Sequence, residues 1–223
     1  NFATENELYE IGVKYAPSGA RWYADATVFD QSRSLRNRDG SNSGIRTEGI
    51  EGQWHFAADS YWVTLAASYI DAYWDNSASS QGTRQVADAF DDSRPDIIDG
   101  TGVGSPNFTL FPPSTQQLQG IPEVQASVVA GWSMTEQWSI GGDLSYTKHF
   151  PLDFLQTVFI RDQHTLNLHT QYRVTPALTA RLDVFNVTDQ DNWSPVFEGG
   201  YFGATLAFPS QPLHAQLSVR YAF

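Results

Sequence analysis

The sequence contains no cysteine. A disulfide-linked scaffold and a thiolate metal site are therefore both excluded for this chain. Basic residues are also scarce, since 13 Lys and Arg stand against 25 Asp and Glu and give a formal net charge of −12. Nucleic-acid binding needs a basic surface, so this balance argues against a nucleic-acid partner.

Long apolar runs are missing as well. No window approaches the roughly 18 consecutive apolar residues that a transmembrane helix requires. The opening residues, "NFATENELYE", have neither the basic start nor the apolar stretch of a signal peptide. No Gly-x-Ser-x-Gly, P-loop or His-Glu-x-x-His motif occurs. We therefore expect no catalytic residues, no cofactor and no metal.

What the sequence has in abundance is an alternation of apolar and polar residues with a period of two. This pattern predicts β-strands with one apolar and one polar face. In the final segment the apolar positions are Leu213, Ala215, Leu217, Val219, Tyr221 and Phe223. Nine such segments occur, near 9–15, 22–28, 50–56, 61–69, 123–134, 138–147, 163–174, 178–185 and 213–223. Helical spacing is weak throughout, so the sequence predicts an all-β chain.

The connections between these segments alternate in length. Short turns are predicted at 16–20, 58–60, 134–137 and 174–177, and long polar links near 31–44, 75–122, 148–158 and 186–212. Short turns on one side and long loops on the other are typical of transmembrane β-barrels of the bacterial outer membrane. The sequence therefore predicts an antiparallel transmembrane barrel.

Aromatic residues, which make up 14% of the chain, recur at one level of the predicted strands. Eight of the nine strands carry one on the apolar face next to a short turn: Tyr15, Trp22, Phe56, Tyr61, Trp132, Trp138, Tyr172 and Tyr221. Amphipathic rings prefer the membrane–water interface, so this row predicts an aromatic girdle. The alternative is a ring of core aromatics at one end of a soluble β-sandwich.

Nine strands cannot close an antiparallel barrel, because the first and last would run in the same direction. Bacterial single-chain barrels have even strand numbers, and an open edge in hydrocarbon leaves backbone groups unpaired. Either strands are hidden in the long links, for example within 77–121, or the chain is part of a larger barrel. The abrupt start of the sequence and the missing signal peptide favour the larger barrel.

Several stretches resemble the TonB-dependent outer-membrane receptors, in the family's order. The end of the chain, "LTARLDVFNVTDQDNWSP…LHAQLSVRYAF", contains an Asn-x-Thr/Phe-Asp element at 186–189 and a terminal Phe. The segment 9–15 resembles the family's Glu-x-Gly-x-Lys strand, 44–54 its Gly-x-x-x-Glu strand, and 121–128 its Pro-led strand. The usual Pro-Arg-Thr lead into the last strand is replaced by "SQPLHA".

The resemblance implies a barrel of about 22 strands with an N-terminal plug. Residues 1–223 would then supply about nine or ten C-terminal strands, with the plug domain and N-terminal strands absent. The implied function is active uptake of a scarce nutrient, such as a siderophore, a vitamin or an oligosaccharide-like ligand. The implied partners are outer-membrane lipid, the rest of the barrel and plug, TonB through the plug, and the assembly machinery. That machinery would read the terminal pattern Leu217, Val219, Tyr221 and Phe223.

Two of the long links contain candidate ligand-binding residues. The link 192–210 carries the aromatic residues Trp193, Phe197, Tyr201, Phe202 and Phe208, of which the first four are the candidates. Such rings stack on sugars, haem or aromatic ligands, and the alternative is that they cap the barrel mouth or pack on another chain. The acidic link 85–102 would disfavour anionic ligands unless Arg84 and Arg94 compensate.

The acidic link and the histidines raise the question of a metal site. The link carries Asp88, Asp91, Asp92, Asp96 and Asp99, but their spacing does not match an EF-hand, so we expect a solvated loop. By alternation His55, His169 and His214 face the barrel interior, where a polar wall is the simpler interpretation.

Three other classes of protein remain as alternatives. A protease of the omptin type would need paired Asp and His at the rim, and Asp162 with His164 are the candidates. Alternation places both on the outer face, which argues against that activity. A small porin and a soluble β-sandwich binding module such as a lectin are the others. The sandwich predicts that the girdle aromatics are buried.

Overall fold

The computed structural model describes residues 2–36, 42–75, 83–85, 98–100, 108–110, 117–152, 158–199 and 204–223. These residues form strands, turns and bends, with no helix long and apolar enough to cross a membrane. Nine strands build one large sheet: β1 (Phe2–Tyr15), β2 (Trp22–Arg36), β3 (Asn42–Ala57), β4 (Tyr61–Asp75), β8 (Val124–Ser133), β9 (Trp138–Thr147), β12 (Gln163–Thr175), β13 (Leu178–Phe185) and β16 (His214–Tyr221).

Seven shorter strands lie in the long links. They are β5 (Thr83–Gln85), β6 (Ile98–Gly100), β7 (Phe108–Leu110), β10 (Phe150–Pro151), β11 (Val158–Ile160), β14 (Trp193–Gly199) and β15 (Ala204–Pro209). They pair among themselves as β10-β11-β6, β14-β15 and β5-β7. The link 77–121 therefore does contain short strands, β5, β6 and β7, but they pair outside the nine-stranded sheet.

The large sheet follows the order β1-β2-β3-β4-β8-β9-β12-β13-β16, and every neighbouring pair is antiparallel. The predicted nine strands are thus confirmed as one antiparallel sheet. Because directions alternate, β1 and β16 point the same way, and they form the two edges of the described sheet.

Cross-strand register keeps apolar residues opposite apolar residues across all nine strands. Directly opposite residues in a ladder share a face. Examples from successive strand pairs are Val28–Ile50, Leu65–Val128, Leu144–Leu166, Leu168–Val184 and Leu182–Leu217. We call this side the apolar face and the other side the polar face.

The apolar face has no second layer of protein on it in the described part of the chain. Ile11 and Leu217 are 73% and 70% exposed, and many other side chains of this face are exposed. In water, exposed apolar surface costs about 25 cal/mol per Å². A face of this extent therefore fits contact with hydrocarbon. Most of the girdle aromatics are exposed on it, which contradicts the alternative of a soluble β-sandwich.

Among the described residues, the buried apolar side chains form two small clusters, one between β3, β4 and the residues before β8 and the other around β10 and β11. One contains Ile45, Ala72 and Leu118, and the other contains Phe150, Leu152 and Ile160. Both lie at the end of the sheet that carries the long links, which we call the long-link end. The opposite end is the short-turn end.

The turns at the short-turn end are built by local hydrogen bonds. Gly19 adopts φ 73°, which glycine tolerates without steric cost, and the Ala20 amide donates to the Pro17 carbonyl at 3.0 Å. The Thr135 hydroxyl accepts from the Trp138 amide at 3.0 Å. The predicted turns at 16–20, 58–60 and 134–137 are confirmed. The turn at 174–177 is shorter than predicted, since only residues 176 and 177 separate β12 from β13.

Strand lengths at the long-link end depart from the sequence prediction. The link predicted near 31–44 belongs largely to strands, since β2 continues to Arg36 and β3 begins at Asn42. Similarly, β1 begins at Phe2 rather than near residue 9. Apolar alternation fades there because these segments extend beyond the apolar face, while backbone pairing, which needs no particular side chains, continues.

The two faces predict opposite responses to charge at one level of β9. Replacement of Leu144 by Arg places a cation on the apolar face, which is expected to destabilise a membrane-inserted barrel by about 2–4 kcal/mol. Urea unfolding of the complete receptor in lipid vesicles measures this loss.

Ser145→Arg is the matched control, because residue 145 is the next along the strand and lies on the polar face opposite Ser127 and Thr165. We expect a change below about 1 kcal/mol for it. Equal destabilisation by the two variants would contradict the assignment of the faces.

Candidate functional site

The polar face is a wall of side chains that hydrogen bond to one another across strands. Gln53 donates to Asp25 at 2.8 Å, and Asn167 donates to Asp143 at 2.8 Å. Such pairing lets a β-sheet present polar groups to water without leaving donors unmatched. The face can therefore line an aqueous space or contact a polar partner.

The three histidines expected on this face lie there by register. His55 is opposite Thr64 and shares a 2.8 Å hydrogen bond with its hydroxyl. His169 is opposite Gly141, and His214 is opposite Phe185. In the described residues, no group of three or more His, Asp or Glu side chains is placed to hold a metal ion.

A strip of rings crosses the polar face near the short-turn end, and sequence reasoning missed it. Tyr23, His55 and Trp62 follow one another with centroid distances of 5.1 and 6.5 Å. Trp62 lies over Gly131, where an added Cβ would come within 2.7 Å of its indole nitrogen. His169 covers Gly141 in the same way. The sequence signal was an aromatic residue out of phase with the apolar alternation.

The eight predicted girdle residues lie near the short-turn end of the apolar face. Register places Trp22 opposite Phe56, Tyr61 opposite Trp132 and Trp138 opposite Tyr172. Six of them are between 41% and 60% exposed: Tyr15, Tyr61, Trp132, Trp138, Tyr172 and Tyr221. An exposed ring row at one depth is the geometry that a membrane interface accommodates.

The proposed assembly signal lies on and just beyond the edge strand β16. Leu217, Val219 and Tyr221 lie opposite Leu182, Ala180 and Leu178 of β13. The Tyr221 and Phe223 rings meet at 5.4 Å between centroids. All four residues, Leu217, Val219, Tyr221 and Phe223, are exposed.

The candidate ligand-binding aromatics fall on the β14–β15 hairpin and the link between its strands. Trp193 is half-buried against the cluster of Phe150, Leu152 and Ile160. Its carbonyl accepts from the Gln163 side chain at 3.0 Å, and its amide donates back to that side chain. Trp193 therefore anchors the hairpin to the sheet within its own chain, a role that sequence reasoning did not consider.

Two of the other ligand-binding candidates lie in described strands, and the rest lie outside the described residues. Phe197 lies in β14 opposite Leu206, and Arg84 lies in β5 opposite Thr109. Tyr201, Phe202 and Arg94 lie outside the described residues. So do Asp88, Asp91, Asp92 and Asp96 of the acidic link, whereas Asp99 lies in β6.

Asn186 is a structural centre that the sequence marked only through its short motif. Its side chain is 3% exposed and its backbone has φ 50°, which Asn tolerates better than most residues. The side-chain amide donates to the carbonyls of Gln190 and Gln211 at 2.9 and 3.2 Å, and its oxygen accepts from the Gln190 amide. The Asn186 amide donates to the Asn167 side chain at 3.0 Å.

Two neighbours complete this hydrogen-bond network. Asp189 accepts from the Leu213 amide at 3.0 Å, immediately before β16. Asn192 is buried and donates to the His164 carbonyl and the Thr165 hydroxyl at 2.7 and 2.8 Å. The segment 186–192 thus joins β12, β13 and β16 at the long-link end.

Asp162 lies just before β12, beyond the membrane-facing part of the sheet. Its carboxylate accepts from the His149 amide at 2.7 Å and from the Tyr146 hydroxyl at 2.9 Å. The His149 amide is the main cause that holds the pKa of Asp162 below its ordinary value, and the Tyr146 hydroxyl acts in the same direction. His164, the other residue of the protease alternative, lies opposite Tyr146 on the apolar side. Asp162 is therefore engaged with His149 and Tyr146.

A second ionic contact lies near the same end. Lys148 pairs with Glu123 at 2.6 Å, and this hydrogen bond raises the pKa of Lys148. The two pairs, Lys148–Glu123 and His149–Asp162, join the segment after β9 to the residues just before β8 and β12.

Comparison with known families settles the class. Residues 3–187 match the model of the family described as TonB dependent receptor-like, beta-barrel. The chain belongs to this family. Its members are transport receptors, and the predicted resemblance is confirmed. No curated protein sequence matches the chain.

Solved structures of receptors share the fold of the chain. The siderophore receptor PiuA from Acinetobacter baumannii matches with a TM-score of 0.71 at 14% identity, covering 97% of this chain and 28% of that one. FyuA, the ferric yersiniabactin uptake receptor from Yersinia pestis, gives 0.70 at 12% identity, covering 98% and 30%. Fiu, the ferric-catecholate import receptor from E. coli K12, gives 0.65 at 19% identity, covering 96% and 27%. The chain thus spans under a third of the length of these receptors.

Replacement of Asn186 tests the network at 186–192. Asn186→Ala removes three side-chain hydrogen bonds, two to the Gln190 backbone and one to the Gln211 carbonyl, so we expect a loss of about 2–4 kcal/mol. Urea unfolding of the complete receptor in vesicles measures it.

Asn186→Gly separates hydrogen bonding from backbone strain, since glycine accepts a positive φ. We expect it to be less destabilising than the Ala variant by about 1 kcal/mol. A Gly variant as stable as the wild type would show that the side-chain bonds contribute nothing.

The lowered pKa of Asp162 predicts an acid-sensitive contact. A carboxyl group whose pKa is lower in the folded state stabilises that state fully above the unfolded pKa of about 3.9. The contribution is lost as pH falls through the lower folded value. We therefore expect protection of the His149 amide from hydrogen exchange to persist from pH 7 to about pH 4 and to fall below it.

Asp162→Asn is the control for this titration, because it keeps an acceptor oxygen but carries no titrating charge. Its His149 protection is expected to be weaker and independent of pH in that range. Loss of wild-type protection centred above pH 4 would contradict the assignment.

Proposed function

We propose that this chain forms part of the wall of an outer-membrane receptor that takes up a scarce nutrient with energy supplied through TonB. The observation that carries the proposal is the family match to a nine-stranded sheet with one apolar and one polar face. In this role the wall positions loops and encloses a passage, and no catalytic residue is required.

The orientation follows from the unequal ends of the sheet. In outer-membrane barrels the short turns lie in the periplasm and the long loops outside the cell. The girdle residues then lie at the periplasmic interface, and the β14–β15 hairpin lies on the extracellular side. The polar face contacts the barrel interior, where a plug supplied by the rest of the receptor would sit and reach TonB.

A ferric siderophore is the substrate class we favour. PiuA is described as a siderophore receptor, FyuA as a ferric yersiniabactin uptake receptor and Fiu as a ferric-catecholate import receptor. Their sequence identities of 12% to 19% establish only the fold. Trp193 anchors the hairpin to the sheet. We assign ligand contact to Phe197, Tyr201 and Phe202. Arg84 and Arg94 then compensate the negative charge of the acidic link. Rings and guanidinium groups suit the aromatic and anionic parts of iron chelators.

The terminal residues have a separate role in this proposal. We assign Leu217, Val219, Tyr221 and Phe223 to recognition by the outer-membrane assembly machinery. Their support is the row of exposed apolar side chains that they form on and just beyond β16.

Uptake in the source bacterium tests the proposed function. We expect deletion of the receptor gene to reduce accumulation of ⁵⁵Fe from at least one of three complexes, ferric catecholate, ferric hydroxamate or ferric citrate, by tenfold or more. Deletion of the TonB gene should produce the same loss.

Labelled cobalamin and maltodextrin serve as controls for other nutrients. If deletion reduced uptake of either control compound and not of iron, the protein would still be an uptake receptor, but its substrate class would be different. Unchanged uptake of all five compounds would overturn the proposed function.

A further inference from the structure

Three arginines share the polar face at the short-turn end of β12, β13 and β16. Arg173, Thr179 and Arg220 form one cross-strand row, and Gln171, Arg181 and Ser218 form the next. Because opposite residues share a face, the three guanidinium groups extend from the same side of the sheet. We call Arg173, Arg181 and Arg220 the arginine patch.

The arginine patch carries more positive charge than its surroundings neutralise. Arg181 is paired with Asp183, with Nη2 to Oδ1 at 2.7 Å and Nε to Oδ1 at 2.9 Å. Arg173 and Arg220 are exposed and form no ion pair with any described residue. The patch therefore presents two unpaired cations in a chain whose formal charge is −12.

The other side of the same wall has the opposite sign. On β1, β2 and β3 the polar face carries Glu10, Asp25 and Glu51 against Lys14 and Arg33, with Lys14 directly opposite Asp25. The polar face is thus more acidic at β1–β3 than at β12, β13 and β16.

The position of the arginine patch selects the chemistry of its partner. Membrane lipid contacts the opposite face, so lipid phosphates do not reach these guanidinium groups. Arg173 and Arg220 are two strands apart, or about 10 Å, which is broader than one small anion. Alternate side chains of an extended polypeptide are about 7 Å apart, and Asp or Glu there can each meet one guanidinium fork.

We propose that the arginine patch binds an acidic polypeptide segment inside the barrel, supplied by the receptor outside residues 1–223. The proposal rests on the proposed function, because that function turns the polar face towards the barrel interior. Arg173 and Arg220 bind carboxylates of the segment, while Asp183 holds Arg181 in place beside them. Thr179 and Ser218 add hydroxyl groups between the cations.

Photo-crosslinking in the complete receptor tests this assignment. Ser218 lies opposite Arg181 and two residues before Arg220, so p-benzoylphenylalanine in its place reports on the occupant without removing an arginine. We expect mass spectrometry to find a crosslink to a receptor peptide with at least two Asp or Glu residues within five positions. Arg173→Gln with Arg220→Gln should lower the crosslink yield at least fivefold.

Arg21→Gln is the matched control, since Arg21 is an exposed cation at the same end of the sheet and is paired with Asp59. Its crosslink yield should equal that of the wild type, and mobility of unheated samples on gels verifies that every variant is folded. Charge reversal at Arg173 and Arg220, combined with Lys at the captured acidic positions, should restore the yield.

Four results would overturn the proposal. The first two are a crosslink to a neutral or basic peptide and a crosslink only to lipid or to a second copy of the receptor. The other two results are no crosslink in a folded receptor and loss of the crosslink in 50 mM phosphate, which would indicate a small-anion site. Iron uptake by the unsubstituted receptor is measured in parallel. Normal TonB-dependent uptake with any of these results rejects the patch alone and leaves the proposed function standing.

Discussion

The structure depends on one constraint, which is that backbone groups facing hydrocarbon must find their hydrogen-bond partners within the sheet. Pairing between neighbouring strands satisfies this requirement, and it also fixes which residues lie opposite one another. Because apolar residues meet apolar residues across all nine strands, the same ladders create both the lipid-facing surface and the polar wall.

The alternation in the sequence was enough to predict this sheet. In β8 and β9 every second residue has the same character, and the register Val128–Leu144 follows from matching like faces across a short turn. Strand ends were less predictable. From residue 31 to 36 the side chains are mostly polar on both faces, yet the ladder with β3 continues, because backbone pairing requires no apolar signal.

The residues of the candidate site were predictable to a smaller extent, for a physical reason. Trp193 was one aromatic among several in a long link, and its burial depends on Phe150 and Ile160, which are distant in sequence. Asn186 was visible only as part of a family motif, since its importance lies in bonds to Gln190, Gln211 and Asn167. The arginine patch likewise required the register of β12, β13 and β16, which joins residues from three separate segments.

The bond from the Leu213 amide to Asp189 has a consequence for how the last strand is aligned. A slip by one residue would turn Leu217, Val219 and Tyr221 towards water and Arg220 towards lipid. The carboxylate of Asp189 accepts a hydrogen bond from the residue just before this strand and so helps to determine which residues of β16 pair with β13. The Asn-x-Thr-Asp element thus helps to direct the apolar side chains of the terminal strand to the lipid and its polar side chains to the barrel interior.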